Sequence, residues 1–226
     1  MRRGKKEHEF QRSYDGEKMI LVDMNQISLA SVMMHLHMTK NTEPDENMVR
    51  HMILNSLRMY RTRFSSEYGE LVLCYDSKHY WRRDFFPQYK AGRRTKRESD
   101  GKNWDAIFEC LNTIKAEIKE NLPYKFLEVY GAEADDIIAS LVTEVAEEVL
   151  ILSGDKDFIQ LQRYPNVKQY SPITKKMVNG ENPGYYLTEH VFKGDSSDGV
   201  PNVLSPDNTF TDGLRQRPLG KKKISS

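Results

Sequence analysis

Three short apolar runs in this chain are each followed closely by an aspartate. The runs MILV, LVLCY and VLIL lead to Asp23, Asp76 and Asp155. Runs of this length predict buried strands. One aspartate after a strand is a common turn residue. Three are harder to explain by turns alone, because open α/β sheets place their ligands at the carboxyl ends of the strands.

The segment 131–158 adds acids at both ends of a predicted apolar helix and strand. Glu133 lies four residues before Ile137, so it continues the row of the helix that faces the core. A carboxylate there is costly unless another group pairs with it. Two more acids follow in GDSSDG. The acids beyond those that directly follow strands are Glu133, Asp135, Asp136, Asp157, Asp195 and Asp198.

Predicted strands and helices alternate along most of the chain. Helices are expected at 27–38 and 104–122, and strands at 125–130 and 166–170 in addition to the three above. This alternation predicts an α/β fold with a three-layer, mostly parallel central sheet. Right-handed crossovers would bring the strand ends to one edge.

So many carboxylates at one edge require compensating cations. Two like charges 4 Å apart repel by about 4 kcal/mol at an effective dielectric of 20. The ligands are all oxygens, and His35 and His37 are interpreted as ordinary helix histidines, so magnesium or manganese is the matched choice. Each acid alone would more often be a helix cap or a turn residue. Their joint placement favours a metal site instead.

The segment 80–102 is dense in arginine, lysine and aromatic residues. It is either a solvated basic loop or one wall of a nucleic-acid channel. We favour the channel, because cations contact phosphates and flat rings stack on bases.

Composition narrows the class of protein. In 226 residues, 38% hydrophobic and 30% charged side chains are typical of a folded domain and not of a disordered chain. Cys74 and Cys110 fit neither a zinc site nor a disulfide framework and are expected to be buried thiols. Residues 1–18 are expected to form a mobile basic tail. No apolar run reaches the roughly 20 residues that a membrane span needs, so a cytosolic protein is expected.

The order of these motifs resembles the 5′-nuclease superfamily, which includes the flap endonucleases. The motifs are the strand-end aspartates, YKAGR, EADD, SGDKDF and GDSSDGVP, over residues 19–203. The flanking segments VDMNQISLA and YWRRDFFPQYK are similar to the branch formed by the ribonucleases H of T-even bacteriophages. The resemblance implies a PIN-like 5′-nuclease core with a basic helical arch, here at about 80–102.

The resemblance implies roles for individual residues. Two Mg²⁺ ions, for which Mn²⁺ can substitute, would be bound by Asp23, Asp76, Glu133, Asp135, Asp136, Asp155, Asp157, Asp195 and Asp198. The catalytic residues would be Lys90, Arg93, Asp155 and Asp157. Substrate would be bound by Arg82, Arg83, Phe86, Tyr89, Arg94 and Lys96. The cations would lower the pKa of the attacking water, so that no histidine base is required.

The resemblance also implies an activity and a domain division. We expect a 5′–3′ exonuclease and flap endonuclease with ribonuclease H activity, acting on RNA–DNA hybrids and flapped duplex DNA in replication. Expected partners are a single-stranded-DNA-binding protein or a sliding clamp, with no membrane and a monomeric state in the host cytoplasm. Residues 19–192 would form the catalytic core, and 193–226 the truncated start of a helix-hairpin-helix-like region. Two alternatives stay open: a non-catalytic nucleic-acid-binding remnant, and a PIN-type single-strand ribonuclease.

The sequence departs from the family pattern at two places. Gly199 stands where family members have asparagine, and residues 204–226 replace the usual Gly-Ile-Gly type hairpin.

Overall fold

A six-stranded sheet forms the centre of the protein. The computed structural model describes residues 18–220 and residue 224. The strands are β1 (Met19–Asp23), β2 (Glu70–Tyr75), β3 (Lys125–Glu128), β4 (Val149–Leu152), β5 (Val167–Ser171) and β6 (Lys176–Val178). Their order is β3-β2-β1-β4-β5-β6, with all neighbours parallel except β5 and β6. The carboxyl ends of β1, β2 and β4 therefore lie at the same edge.

Helices flank the sheet and connect its strands. They are α1 (Met24–Thr39), α2 (Glu46–Tyr68), α3 (Trp81–Phe85), α4 (Gly92–Ser99), α5 (Trp104–Asn121), α6 (Ala134–Glu144) and α7 (Pro183–Lys193). A 3₁₀ helix occupies Lys156–Arg163 between β4 and β5.

Two hydrophobic cores lie on opposite faces of the sheet. Ile20 and Val22 of β1 pack with residues of α1, α2 and α5 on one face. Met19 and Leu21 of the same strand pack with α6 and the 3₁₀ helix on the other. This alternation is what period-two side chains produce in a strand buried on both faces. The predicted three-layer, mostly parallel sheet is confirmed.

Most predicted elements are present, with ends shifted by a few residues. The basic segment 80–102 contains the two short helices α3 and α4, with turns between them. Sequence reasoning did not foresee β6, α7 or the 3₁₀ helix. The predicted tail at 1–18 lies, apart from Lys18, outside the described residues, and so does the basic cluster 221–223. Residues 194–220 form turns held by hydrogen bonds, and the division of the chain into domains stays a prediction.

Three smaller expectations can be compared with the structure. Cys74 and Cys110 are buried, unpaired thiols. His35 is buried on α1, where its Nε2 accepts a hydrogen bond from the backbone N–H of Asp45 at 3.0 Å. Over residues 18–220 and 224, no helix combines the length and apolar character needed to cross a bilayer.

Candidate metal centre and nucleic-acid interface

Three acids at the carboxyl edge of the sheet are fixed by local hydrogen bonds. Asp23 caps α1, accepting from the backbone N–H of Gln26 at 3.1 Å, and its other oxygen accepts from the Ser153 hydroxyl at 2.9 Å. Asp76 accepts from the backbone N–H of Ala134 at 2.7 Å. Asp155 caps the 3₁₀ helix. Helix capping by Asp23 and Asp155, and the hydrogen bond from the first residue of α6 to Asp76, thus hold these carboxylates at one edge.

An inner acid group consists of Asp23, Asp76, Asp135 and Asp155. Burial, and then the charges of Asp23, Asp155 and Asp76, raise the pKa of Asp135 from 3.8 to about 8. Burial also raises the pKa of Asp23 to about 6 and that of Asp76 above its usual range. Burial and the neighbouring carboxylates therefore oppose ionisation of Asp135 in particular.

The inner acid group suits divalent cations. Among the described residues, no lysine or arginine forms an ion pair with any of its four members. Hard oxygen donors without a basic side-chain partner are the set that Mg²⁺ or Mn²⁺ prefers. The side chains of this group therefore fit a divalent cation.

An outer acid group lies next to the inner acid group and consists of Asp157, Asp195 and His190. Ligand atoms of Asp157, His190 and Asp195 all lie within 4.8 Å of one another. Burial, and then Asp155, raise the pKa of Asp157 to about 6, against the opposing effect of His190. Burial raises the pKa of Asp195 too, but hydrogen bonds from Ser197 outweigh it, so the net pKa of Asp195 is lowered.

Glu133 is paired with the basic segment. Its side chain is buried at 1% exposure, with one oxygen 2.5 Å from Lys90 Nζ. Its other oxygen accepts from Arg82 at 3.0 Å and from the Tyr89 hydroxyl at 2.8 Å. The partner that a carboxylate in this position requires is therefore supplied by residues 82–90.

Asp136 completes the contact between α6 and the basic segment. Arg82 donates to both of its oxygens at 2.8 Å, and Trp81 Nε1 lies 3.2 Å away. Burial alone would raise the pKa of Asp136, but the Arg82 bonds lower it below its usual range. Glu133 and Asp136, expected as metal ligands, thus bind cationic side chains in this state.

Asp198 links the turn that carries Asp195 to the arch, the basic segment 80–102. Its side chain accepts from Arg93 and lies 3.6 Å from Lys90 Nζ. Its backbone carbonyl accepts from the N–H of Lys90 at 2.7 Å. Lys90 adopts a left-handed φ of 58°, which is uncommon for a residue with a side chain and concentrates at functional sites.

Gly199 accounts for one departure from the family pattern. Its φ is 78°, and a Cβ at this position would lie 3.0 Å from the carbonyl oxygen of Gln88. A side chain is therefore disfavoured both by backbone conformation and by the close approach of the arch base.

A cavity of about 640 Å³ brings these parts together. Asp135, Asp157, Asp195 and His190 line one side. The aromatic and aliphatic residues in its wall include Trp81, Phe85, Phe86, Tyr89, Phe158, Leu161 and Val191. Phe85 is 83% exposed, so its ring is available to a flat ligand. A second cavity of about 310 Å³ is lined by Arg83, Lys90, Arg93, Arg94 and Arg97. Acidic, aromatic and basic side chains therefore lie next to one another along these two cavities.

The residues predicted to bind substrate differ in their accessibility. Arg93 and Arg94 have exposed side chains, although Arg94 pairs with Glu98 on its own helix. Lys96 is exposed. Arg83 lies 4.9 Å above the ring of Tyr80. The other three residues predicted to bind substrate, Arg82, Phe86 and Tyr89, are less accessible.

Phe86 is partly buried in the cavity wall, and Arg82 is engaged with the two acids described above. Tyr89 is buried at 7% exposure and its hydroxyl is hydrogen-bonded, so stacking on a base would first require its ring to be uncovered. The expected roles of all these residues stay predictions.

Sequence reasoning missed His190 and several polar residues around the acids. His190 stood outside any motif. A helix start at Asn182 and Pro183 was a usable signal, because it places His190 in the last turn, five residues before Asp195. Ser153 and Gln26 lie in the segments SGDKDF and VDMNQISLA, but sequence reasoning gave neither residue a role. Ser153 is fully buried and its hydroxyl donates to Asp23, while the Gln26 side-chain oxygen accepts from the backbone N–H of Gly154.

The fold and site define an α/β protein with a cluster of carboxylates beside a basic, aromatic surface. The chain belongs to the family of 5′-3′ exonuclease N-terminal, resolvase-like domains, whose pattern matches residues 18–191. The resemblance to the 5′-nuclease superfamily is thereby confirmed.

Named relatives are similar over much of the chain. Ribonuclease H of Enterobacteria phage T4 is 36% identical over 209 residues, which cover 86% of this chain and 66% of that protein. A 5′-3′ exonuclease of Buchnera aphidicola is 28% identical over 196 residues, covering 81% and 64%. The flap endonuclease Xni of Shewanella oneidensis is 30% identical over 135 residues, covering 54% and 48%. The chain thus spans between 48% and 66% of the length of these relatives.

Solved structures share the fold. The bacteriophage T5 flap endonuclease, in a complex described as containing DNA and metal ions, matches with a TM-score of 0.67 and 16% identity, over 92% of this chain and 82% of that one. The T5 5′-exonuclease with zinc bound matches with a TM-score of 0.63 and 17% identity, over 92% and 83%.

Proposed function

We propose that this chain is a metal-dependent 5′-nuclease that hydrolyses phosphodiester bonds of RNA–DNA hybrids and of 5′-flapped duplex DNA. The observation that carries the proposal is the cavity in which Asp135, Asp157 and Asp195 lie beside the basic segment. Carboxylates bind cations, cations and arginines bind phosphate, and exposed rings bind bases. The names of the relatives, ribonuclease H, exonuclease and flap endonuclease, support the same substrates.

The acids would hold two divalent cations, Mg²⁺ with Mn²⁺ as a substitute. The inner acid group would bind one ion, and Asp157 and Asp195 the other, with Asp155 between them. Such ions act as Lewis acids that stabilise the attacking and leaving oxygens of an in-line displacement. The raised pKa values of Asp135 and Asp157 support this assignment, because burial and the neighbouring carboxylates disfavour the ionised forms, which a bound cation would stabilise.

Arg93 and Lys90 would bind the reacting phosphate. Arg93 is paired with Asp198 but its side chain is 44% exposed, so an incoming phosphate has access to it. Lys90 is only 9% exposed and pairs with buried Glu133. Arg93 is therefore the first contact of the phosphate, and Lys90 reaches it when its contact with Asp198 at 3.6 Å loosens. Positive charge placed there would stabilise negative charge that develops on the phosphate.

Aromatic residues would select unpaired nucleotides. Phe85 and Trp81 are exposed in the cavity wall, so a base freed from its partner strand can lie against them. Stacking on an aromatic ring contributes about 1–3 kcal/mol per base with little dependence on sequence. This arrangement suits removal of RNA primers and flaps in replication.

The wider setting is part of the same proposal. We propose that the protein acts as a monomer in the cytoplasm, next to a single-stranded-DNA-binding protein or a sliding clamp. The support for this is the relation to a phage ribonuclease H and to flap endonucleases.

The test is cleavage of end-labelled RNA–DNA hybrid and 5′-flap DNA with Mg²⁺, with EDTA, and with Asp157→Asn. We expect cleavage by the wild type with Mg²⁺ and loss of at least 100-fold in the other two reactions. The matched control is Asp207→Asn, an exposed aspartate outside the site, which should cleave like the wild type.

Other results would contradict the proposal. Cleavage that survives Asp157→Asn or EDTA would indicate a contaminant. Salt-sensitive binding without product at any metal concentration would indicate a non-catalytic binding protein. Preference for unstructured RNA over flaps would indicate a PIN-type ribonuclease.

A further inference from the structure

His190 lies in the outer acid group, where sequence reasoning predicted only oxygen ligands. Its Nε2 is 3.3 Å from Asp157 Oδ1, and a ligand atom of Asp195 lies within 4.8 Å of both side chains. Three donor atoms at such separations can surround one cation at the 2.0–2.2 Å bond lengths typical of nitrogen and oxygen ligands. All three residues line the 640 Å³ cavity, so a cation can enter from solvent.

The position of His190 is fixed by its helix. The residue lies in the last turn of α7, where its carbonyl accepts from the backbone N–H of Gly194 at 2.9 Å. Its ring stacks on that of Tyr186, with centroids 5.9 Å apart and an interplanar angle of 9°. Stacking on Tyr186 limits rotation of the ring, so ligation through Nε2 would cost little side-chain entropy.

The carboxylate of Asp195 is also held in a position that suits metal ligation. Its Oδ1 accepts from the backbone N–H and the hydroxyl of Ser197, both at 2.7 Å. Within the part of the chain that the structure describes, no residue donates to its Oδ2. Fixing one carboxylate oxygen while the other stays available is the usual arrangement around a ligating carboxylate.

We propose that His190 is a nitrogen ligand of the outer cation, and that this position therefore selects a first-row transition-metal dication such as Mn²⁺, Co²⁺ or Zn²⁺ over Mg²⁺. The inference deepens the proposed function and rests on it for the existence of the outer cation. Imidazole raises the affinity of a site for transition metals, whereas a set of oxygens alone suits Mg²⁺. Two carboxylates and one neutral imidazole also balance the charge of one dication.

The inner acid group has different chemistry. Asp23, Asp76, Asp135 and Asp155 offer only oxygen atoms, and the structure places no histidine of the described residues among them. The two positions are thus expected to differ in metal preference, so that one chain can hold Mg²⁺ at the inner site and a transition metal at the outer one.

Metal binding in the absence of nucleic acid tests the inference separately from catalysis. Mn²⁺ is added to the 226-residue protein to two equivalents, and pulsed EPR measures coupling of the Mn²⁺ electron spin to ¹⁴N. We expect a directly ligating imidazole signal in the wild type that is absent in His190→Gln. The matched control is His79→Gln, since His79 pairs with Asp84 at 3.1 Å outside the site. This variant should keep the signal.

Calorimetric titrations supply the second readout. In His190→Gln we expect Mn²⁺ and Co²⁺ affinity at one of the two sites to fall by 10-fold or more, whereas Mg²⁺ affinity changes by less than 3-fold. Failure of Mn²⁺ to bind, absence of ¹⁴N coupling in the wild type, or equal losses for Mg²⁺ and Mn²⁺ would each overturn the inference.

Cleavage assays with Mg²⁺ and with Mn²⁺ distinguish failure of this inference from failure of the proposed function. Cleavage without nitrogen ligation would refute only the role of His190. Nitrogen ligation without cleavage in either metal would support His190 as a ligand and refute the nuclease.

Discussion

Replacing Asp135 by asparagine should stabilise the metal-free protein, even though Asp135 is a proposed metal ligand. The unfolded chain ionises Asp135 near pH 3.8, whereas the folded protein keeps its proton up to about pH 8. Between these values the folded state binds one more proton than the unfolded state, so the free energy of unfolding falls as pH rises. Asparagine resembles the protonated form and removes this dependence.

The magnitude follows from the same shift. One pKa unit corresponds to about 1.4 kcal/mol, so the full shift from 3.8 to about 8 corresponds to roughly 5–6 kcal/mol. The charges of Asp23, Asp76 and Asp155 act together, and water enters the cavity, so we expect about 2–4 kcal/mol. The gain should grow steadily from pH 4 to pH 8 and level off above pH 8.

Urea unfolding in EDTA at pH 5, 6, 7 and 8 measures this difference. Asp207→Asn, on an exposed residue, should show no pH-dependent gain. With saturating Mg²⁺ the order should reverse, because the wild type binds the ion and the variant binds it less well. A variant that is less stable than the wild type at pH 8 in EDTA, or a gain equal at pH 5 and pH 8, would refute the reasoning.

Four further results are expected. Mg²⁺ or Mn²⁺ at 100 times its dissociation constant should raise Tm by about 5–11 °C over EDTA, from a binding contribution of about 2.7 kcal/mol; an unchanged Tm would argue against a cation site. Lys90→Met should lower kcat on a flap substrate by about 10²–10³-fold with a smaller change in KM, whereas Lys90→Arg should retain part of the wild-type kcat. An equal loss of kcat in the two variants would place Lys90 in a structural role. Glu133→Leu should reduce the free energy of unfolding by about 3–5 kcal/mol in urea, because Lys90 and Arg82 lose a buried partner, and a neutral result would contradict the buried ion pairs. Phe85→Ala should weaken binding of a single-stranded 5′ overhang about 10-fold in a filter assay without lowering Tm, since its ring is 83% exposed; unaltered binding would exclude stacking there.

The sequence predicted those parts of the molecule that depend on local pattern. The apolar runs ending near Asp23 and Asp155 defined central strands, because a strand buried on both faces is apolar throughout. Their order along the chain, together with right-handed crossovers, placed the acids at one edge. The need for a partner at Glu133 was also predictable from its place in a core-facing row.

The identity of the partners was not predictable from local pattern. Glu133 and Lys90 are 43 residues apart, and Arg93 and Asp198 are 105 apart. No periodicity connects them, since the pairing depends on how the basic segment folds over the sheet edge. His190 was missed for the same reason, because only the packing of α7 on the 3₁₀ helix brings it near Asp157. Tyr89 and Phe85 likewise differ in burial through tertiary packing alone.

The backbone hydrogen bond between Lys90 and Asp198 has a consequence for how this protein can evolve. It joins the base of the arch to the turn that carries Asp195 and Asp198. In that turn, Gly199 packs against the carbonyl of Gln88. An insertion or deletion in either loop would shift Arg93 and Asp198, which form an ion pair, together. Loop lengths on both sides of this bond should therefore vary jointly among descendants.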